Sequence, residues 1–442
     1  MRSFFRFFID LIFVFAVIFI WLMLIYQYVL TLGGFFYRLK LKKESRRVKG
    51  QGNLPSVSIL IPARNEEKVI RNLLQRLQSL NYPEDKMEII VINDGSTDGT
   101  ESIVQGIAKD DFRIKLLTLP FSEYGKGKAA VLNRGLQKAS HEVIAVYDAD
   151  NIPENDSLLL LCRRLVSDNK LAAVTGKFRA FNRNTNLLTR FINIESVAFQ
   201  WIIQAGRWFF LKVAFISGTN FVIWKNILKR IGGWDEQALT EDSELTFRIY
   251  NEKFLVGFLP VAVSWEQEPE NFSTWIRQRT RWARGNNYII SKHGHQLFKK
   301  RLSFFYLELV NLLFLYYLFL FAIIFSDVLF IFSALNIVEI RVIGPYTELW
   351  ALAFFLFVFE IILALSFEKE DSWKNILLVL LTYFSYTKLW AFVVLRSFYQ
   401  DIVRKKARIW VKTERFDIKE NDIKETKEWI ERRWVLKKKK ED

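Results

Sequence analysis

Five short stretches of this chain carry side chains whose types and spacing can do chemistry. Asp148-Ala149-Asp150 follows an apolar run and sets two carboxylates two residues apart. One or both can reach a hard divalent cation that also takes phosphate oxygens, as Mg²⁺ does. Taken alone, the tripeptide reads more readily as an acidic turn. Asp94 opens Asp-Gly-Ser-Thr-Asp-Gly after another apolar run. Gly95 permits a tight turn there, Ser96 or Asp98 can cap the next helix, and Asp94 can accept hydrogen bonds from a nucleotide. Gly125-Lys126-Gly127-Lys128 adds mobile backbone and cations at a helix start, which suits phosphate although it lacks the Walker spacing.

Thr240-Glu241-Asp242 precedes the helical pattern Leu245, Ile249. Thr240 then serves as N-cap with both acids in the first turn, and helix capping alone explains the triplet. A chemical reading makes Asp242 a general base that takes the proton of an attacking hydroxyl, with Glu241 beside it. Gln278, Arg281 and Trp282 stand at i, i+3 and i+4 and so share one helical face. Arg281 can pair with a diphosphate through its planar donors, and Trp282 offers an apolar plane for stacking. For Trp275 and Arg277 on the same stretch, anchoring at a membrane surface is the simpler reading.

The elements that must position these groups are legible from period and composition. Val57 to Ile61, Glu88 to Ile92, Ile114 to Leu117 and Val143 to Tyr147 read as buried strands, each followed by turn residues and a helix-like stretch. That alternation predicts an α/β domain with a mostly parallel sheet, in which ligands bind at the carboxyl ends of the strands. Three such ends carry Pro62-Ala63-Arg64-Asn65-Glu66, Asn93-Asp94-Gly95-Ser96 and Asp148-Ala149-Asp150.

The 51% apolar content of the 442 residues is concentrated in nearly uncharged runs. Phe7 to Leu30 has roughly the 20 residues that cross a bilayer, and bulky residues follow it where a cleaved leader would have small ones. Arg38, Lys40, Lys42, Lys43, Arg46, Arg47 and Lys49 follow it, against Arg2 and Arg6 before, which predicts a cytoplasmic middle domain. The basic clusters behind the net charge of +16 lie beside apolar runs, so anionic lipid accounts for them and nucleic acid is not expected as a partner. The single cysteine, Cys162, lies in an apolar stretch and excludes an intrachain disulfide. Trp275 to Ile290 reads as an amphipathic interfacial helix, followed by runs at Phe304 to Phe325, Leu349 to Phe367 and Ile376 to Leu395. Three crossings would leave the basic tail outside, so the short run Val328 to Val338 is expected to make a re-entrant or kinked crossing.

In this order, Asp94-Gly95, Asp148-Ala149-Asp150, Thr240-Glu241-Asp242 and Gln278-x-x-Arg281-Trp282 resemble the family 2 processive-type glycosyltransferases. That group holds cellulose, hyaluronan, chitin and poly-N-acetylglucosamine synthases and related mannosyltransferases, and the resemblance covers roughly residues 55 to 290. It implies a Rossmann-like GT-A domain and inversion at the anomeric carbon. It places Ala63, Glu66 and Asp94 near the nucleoside, Asp148 and Asp150 on the diphosphate and its Mg²⁺ or Mn²⁺, and Asp242 as base with Glu241 next to it. It further implies that Lys128, Gln278 and Arg281 hold the donor, with Lys128 and Arg281 neutralising the leaving diphosphate. Trp282 and Ser217-Gly218-Thr219-Asn220 would hold the acceptor. Two departures are evident: the turn reads Asn93-Asp94 where some members have paired acids, and the membrane portion is short beside that of long-polymer synthases.

The expected organisation is a transmembrane helix at 1–37, a GT-A domain at 50–270, amphipathic interface helices at 271–300, transmembrane helices at 301–400 and a basic cytoplasmic tail at 401–442. The expected activity is metal-dependent, inverting, β-linkage-forming transfer of a hexosyl unit from a UDP- or GDP-sugar to a growing glycan or lipid-linked acceptor at the plasma membrane. The alternative is a catalytically silent scaffold of an envelope polysaccharide assembly. A polyprenyl-phosphate sugar synthase shares the fold but is not expected to carry Gln278-x-x-Arg281-Trp282.

Overall fold

The computed structural model describes residues 2–48, 53–299, 311, 316–338, 342, 344–405 and 416. Within them the chain divides into two compact units, one of Met1–Leu39, Val197–Val213 and Trp282–Lys406 and the other of Lys40–Ser196, Ala214–Arg281 and Ala407–Asp442. The expected domain at 50–270 is therefore interrupted, because 197–213 belongs with the apolar helices.

The second unit is built on one eight-stranded sheet. Its strands are β1 (Val57–Ala63), β2 (Met87–Asn93), β3 (Ile114–Thr118), β4 (Val143–Val146), β5 (Ile152–Pro153), β6 (Leu171–Ala180), β7 (Phe221–Trp224) and β8 (Leu255–Glu266), in the order β3-β2-β1-β4-β7-β6-β8-β5. The first four are parallel neighbours: Val57 pairs with Met87 and with Val143, and Ile89 with Ile114. Apart from Pro62, every residue of β1, β2 and β4 is buried, because helices cover both faces and an uninterrupted apolar strand is then favourable. The sheet is mixed beyond β4. β7 runs antiparallel to β4 and β6, β6 and β8 are parallel, and β5 is antiparallel to β8. The start of β7 thus lies beside the end of β4, with Val146 opposite Phe221.

At the opposite, amino edge, Glu88 accepts hydrogen bonds from Ser58 Oγ, from Lys115 Nζ at 2.6 Å and from Ser140 N and Oγ at 2.7 Å each. The buried Cys162 sits in the helix Ser157–Val166, where burial pushes its thiol up to about 12 and leaves it unreactive.

In the first unit, Phe7–Leu41 and Tyr346–Phe367 are long and apolar enough to cross a membrane, and Tyr317–Ser333 is apolar but shorter. Two topological expectations need correction. Val328 begins no separate element, since one helix, Tyr316–Ala334, runs through the end of the expected 304–325 span and into the short run. The expected span Ile376 to Leu395 is instead broken at Ser385 into Trp373–Phe384 and Tyr386–Val403, bent by 40°. The front of the 304–325 run and most of the 401–442 tail lie outside the described residues.

The segment 197–213 packs against the N-terminal helix at backbone contact. A Cβ on Gly34 would stand 2.0 Å from the Trp201 carbonyl oxygen, and one on Gly206 would stand 2.2 Å from that of Leu30. Only glycine permits such an approach, the small-residue packing common between membrane helices. Trp201 Nε1 then donates to Glu368 Oε1 at 2.6 Å, and the Trp201 ring meets Phe367 edge-on at 5.3 Å.

Candidate active site at the carboxyl edge of the sheet

The carboxyl ends of β1, β2 and β4 and the start of β7 collect most of the candidate groups. Ala63 ends β1 opposite Asn93, and its carbonyl accepts from Asp94 N at 2.9 Å. Asp94, at 4% exposure, accepts from Gly125 N at 2.8 Å and pairs with Arg64 at 3.5 Å. Desolvation raises its pKa, and those two contacts offset the rise only in part. Gly95, at φ +67°, lies under Tyr124, whose ring would be 2.3 Å from any Cβ there. Nearby, Glu66 N donates to Thr100 Oγ1, and the Glu66 side chain is buried. It is Asp98 that accepts from the first-turn Thr100 N, while Ser96 accepts from Asn65 N.

Lys128 begins the helix Lys128–Lys138 and joins the two halves of the site. Its Nζ is 2.6 Å from Asp148 Oδ1, 3.7 Å from Glu241 Oε1 and 2.9 Å from the Gly218 carbonyl oxygen. Burial disfavours its charge, but Asp148, Glu241 and Asp242 outweigh that and hold its pKa above the ordinary value. Asp242 lies against the same loop, since a Cβ on Gly218 (φ +79°) would be 2.9 Å from Asp242 Oδ2. Desolvation and then the neighbouring Glu241 charge push Asp242 up to about 7, against the opposing effects of Lys128, Ser243 N–H and Arg281. Arg281 itself donates to the Leu239 carbonyl at 3.4 Å, and Gln278 Oε1 accepts from Arg279.

The capping reading of Thr240 fails in an informative way. It stands at the N-cap of Glu241–Asn251, yet its hydroxyl makes no capping bond and is buried without a partner among the described residues. Ser217 Oγ and Asn151 Nδ2 are likewise buried without partners among the described residues. These three lie near the same edge, where a polar ligand would give them partners. Asn220 behaves differently: its amide accepts from Ser157 Oγ and donates to the Lys177 and Ala262 carbonyls, so it braces the sheet.

Asp148 is partly exposed, at 29% of its side chain, whereas Asp150 is buried and accepts from Gln267 N at 3.1 Å. Among the described residues no group of three or more His, Cys, Asp or Glu is able to hold a metal ion. Asp148 and Asp150 share one turn and are both oxygen donors of the type a hard divalent cation takes, but the Lys128 ammonium 2.6 Å from Asp148 Oδ1 competes for that oxygen.

Several neighbours of the site have no motif to betray them: Asn151, Tyr124, Gln267 and Phe416. Tyr124 adjoins the glycine-lysine stretch, and Asn151 directly follows Asp150, which are the only local signals. Phe416 exchanges two hydrogen bonds with the Gln267 side chain, at 2.9 and 2.8 Å, from 149 residues away. Trp275 is no surface anchor, because it is fully buried and stacked on Phe272. Trp282 opens the last segment of the other unit.

Together, a sheet of this order with acidic turns at its carboxyl edge defines a GT-A glycosyltransferase fold. The family model "Glycosyltransferase like family 2" matches residues 55–285, and the chain belongs to that family. It is 43% identical over 404 residues to a probable glycosyltransferase, YdaM, of Bacillus subtilis, a match covering 90% of this chain and 96% of that one. It is 30% identical over 285 residues to the poly-beta-1,6-N-acetyl-D-glucosamine synthase of Staphylococcus epidermidis, covering 64% and 66% respectively. Among solved structures, the mannosyltransferase PcManGT of Pyrobaculum calidifontis, in complex with GDP-Man and Mn²⁺, matches with a TM-score of 0.51 and 20% identity over 82% of this chain and 98% of that one, a likeness of fold alone.

Proposed function

We propose that the protein is an inverting, metal-dependent glycosyltransferase that moves a hexosyl unit from a UDP- or GDP-sugar to a growing glycan or lipid-linked acceptor at the cytoplasmic face of the plasma membrane. The observation that carries this reading is Asp242, a carboxylate raised to about 7 beside the Lys128–Asp148 pair and next to buried, unpartnered hydroxyl groups. A base works best when its pKa is near the operating pH. Asp242 takes the proton of the attacking sugar hydroxyl, and Glu241 sustains its basicity by repulsion. Ser217 Oγ and Thr240 Oγ1 meet substrate hydroxyls. Asp94 and the backbone around Gly125 receive the nucleoside, and Lys128 and Arg281 stabilise the charge that develops on the departing diphosphate. Asp148 and Asp150 would hold Mg²⁺ or Mn²⁺, which supplies further positive charge to that leaving group. The staphylococcal relative's name favours an N-acetylhexosamine donor and a β linkage.

Purified protein in detergent is expected to release UDP or GDP from one member of a donor panel when Mg²⁺ or Mn²⁺ is present, with the sugar appearing in a larger product by mass analysis. Full turnover by Asp242→Asn would refute the assigned base, and absence of turnover on every donor would favour the silent-scaffold reading.

A further inference from the structure

The turn that carries Asp148 and Asp150 is not held by its own backbone alone. Asp148 N–H is shared between Asn151 Oδ1 and Thr219 Oγ1, at 3.1 Å from each. Thr219 Oγ1 in turn donates to Asn151 Oδ1, closing a three-membered clasp, and Asn151 N donates to the Asp148 carbonyl at 3.0 Å. Asn151 is fully buried and Thr219 nearly so, at 0% and 3% exposure. Lys128 makes a second tie a few atoms away by spanning Asp148 Oδ1 and the Gly218 carbonyl. These ties follow from the sheet, where β4 ends at Val146 opposite the first residue of β7, Phe221, so the two loops leave the same edge side by side.

We propose that Asn151 and Thr219 are positioning residues of the donor site: their clasp sets the shape of the Asp148–Asp150 turn, so a loop read as belonging to the acceptor also governs metal and nucleotide affinity. The proposal rests on the glycosyl-transfer reading. Neither residue needs to touch the donor. They act through Asp148, whose main chain they fix, as partners behind a metal ligand do. Removing one leaves the Asp148 N–H a single acceptor and breaks the Thr219–Asn151 bond that ties the two loops, so the turn relaxes.

The test is binding rather than turnover. Mn²⁺ binding by electron paramagnetic resonance, with and without UDP or GDP, is measured on the full chain in detergent for Thr219→Val, Thr219→Ser, Asn151→Ala and the double variant Asn151→Ala/Thr219→Val. Thr219→Val and Asn151→Ala are expected to weaken Mn²⁺·nucleotide binding about tenfold. Thr219→Ser, which keeps the hydroxyl, stays within about twofold, and the double variant is no weaker than the worse single one, because the clasp is lost as a unit. Wild-type affinity in Thr219→Val and Asn151→Ala, with thermal melting showing them folded, overturns the proposal. So do losses that simply add in the double variant. If the wild type binds neither Mn²⁺·UDP nor Mn²⁺·GDP, the glycosyl-transfer reading itself fails and the clasp with it.

Discussion

At the amino edge of the sheet, Glu88 is buried among groups that satisfy it; at the carboxyl edge, Asp242 is packed among groups that contend over it. Burial opposes the Glu88 charge, but Lys115, Ser58 and Ser140 outweigh burial and hold its carboxyl at about 2. Around Asp242 the order is reversed. Desolvation and the Glu241 charge exceed what Lys128, Ser243 and Arg281 return, and the result is about 7. Both are carboxylates in one domain, at ends of one sheet. A charge that serves only the fold is given partners until it is content, whereas the proposed base is left in a field that makes ionisation costly.

The largest expected effect that tests this contrast is Asp242→Asn. Loss of a general base predicts a fall in kcat of about 10³-fold. A carboxyl whose folded pKa lies above its ordinary 3.8 lends stability below that value and loses it as pH rises through about 7, so at pH 8 the ionised group is a cost. Asp242→Asn should therefore keep or raise Tm at pH 8 while abolishing turnover. In the wild type, log kcat/KM should fall with unit slope as pH drops below about 7.

Next comes Lys128→Met, which strips the one ammonium that Asp148 and Glu241 share. The donor KM should rise about 30-fold, roughly the 2 kcal/mol of one charge-assisted contact. With its attraction gone, Asp242 holds its proton to higher pH, so the acid limb of the profile moves upward from 7. A limb that stayed in place would break the electrostatic account.

Gly95→Ala is expected to cost about tenfold in donor KM, because Ala at φ +67° is strained and its Cβ would press the Tyr124 ring away from Asp94. Pairing it with Tyr124→Ala should recover part of the loss. The smallest effect on activity belongs to Glu88→Gln, which should leave kcat/KM unchanged at pH 7 and cost about 2 kcal/mol of stability once the exposure of Lys115 is allowed for. The Glu88 contribution is present above its ordinary 4.5 and is lost as pH falls toward about 2, so wild type and variant should converge in acid melts.

The legible parts share a physical reason. β1, β2 and β4 are short runs buried on both faces, and such runs show in sequence as largely apolar stretches. The mixed half of the sheet did not show, because β6 buries Lys177 and Arg179 completely and its pattern thereby loses its apolar signature. A buried cation is tolerable only with partners supplied from elsewhere in the chain. The interruption at 197–213 escaped notice likewise, since it depends on glycines 33, 34 and 206 letting two distant segments touch.

What the sequence by itself determined is which groups exist and which strand ends or helix starts carry them: the acidic turns after β2 and β4, the lysine at a helix start, the triplet before Leu245 and the apolar spans. Local spacing is enough for that, because turns, caps and periodicity act over a few residues. The tertiary structure decided which of those charges share a field. Lys128 lies 20 residues from Asp148 and 113 from Glu241 in the chain, yet its ammonium reaches both. Coulomb energy falls with distance through space, and only the packed sheet edge sets that distance.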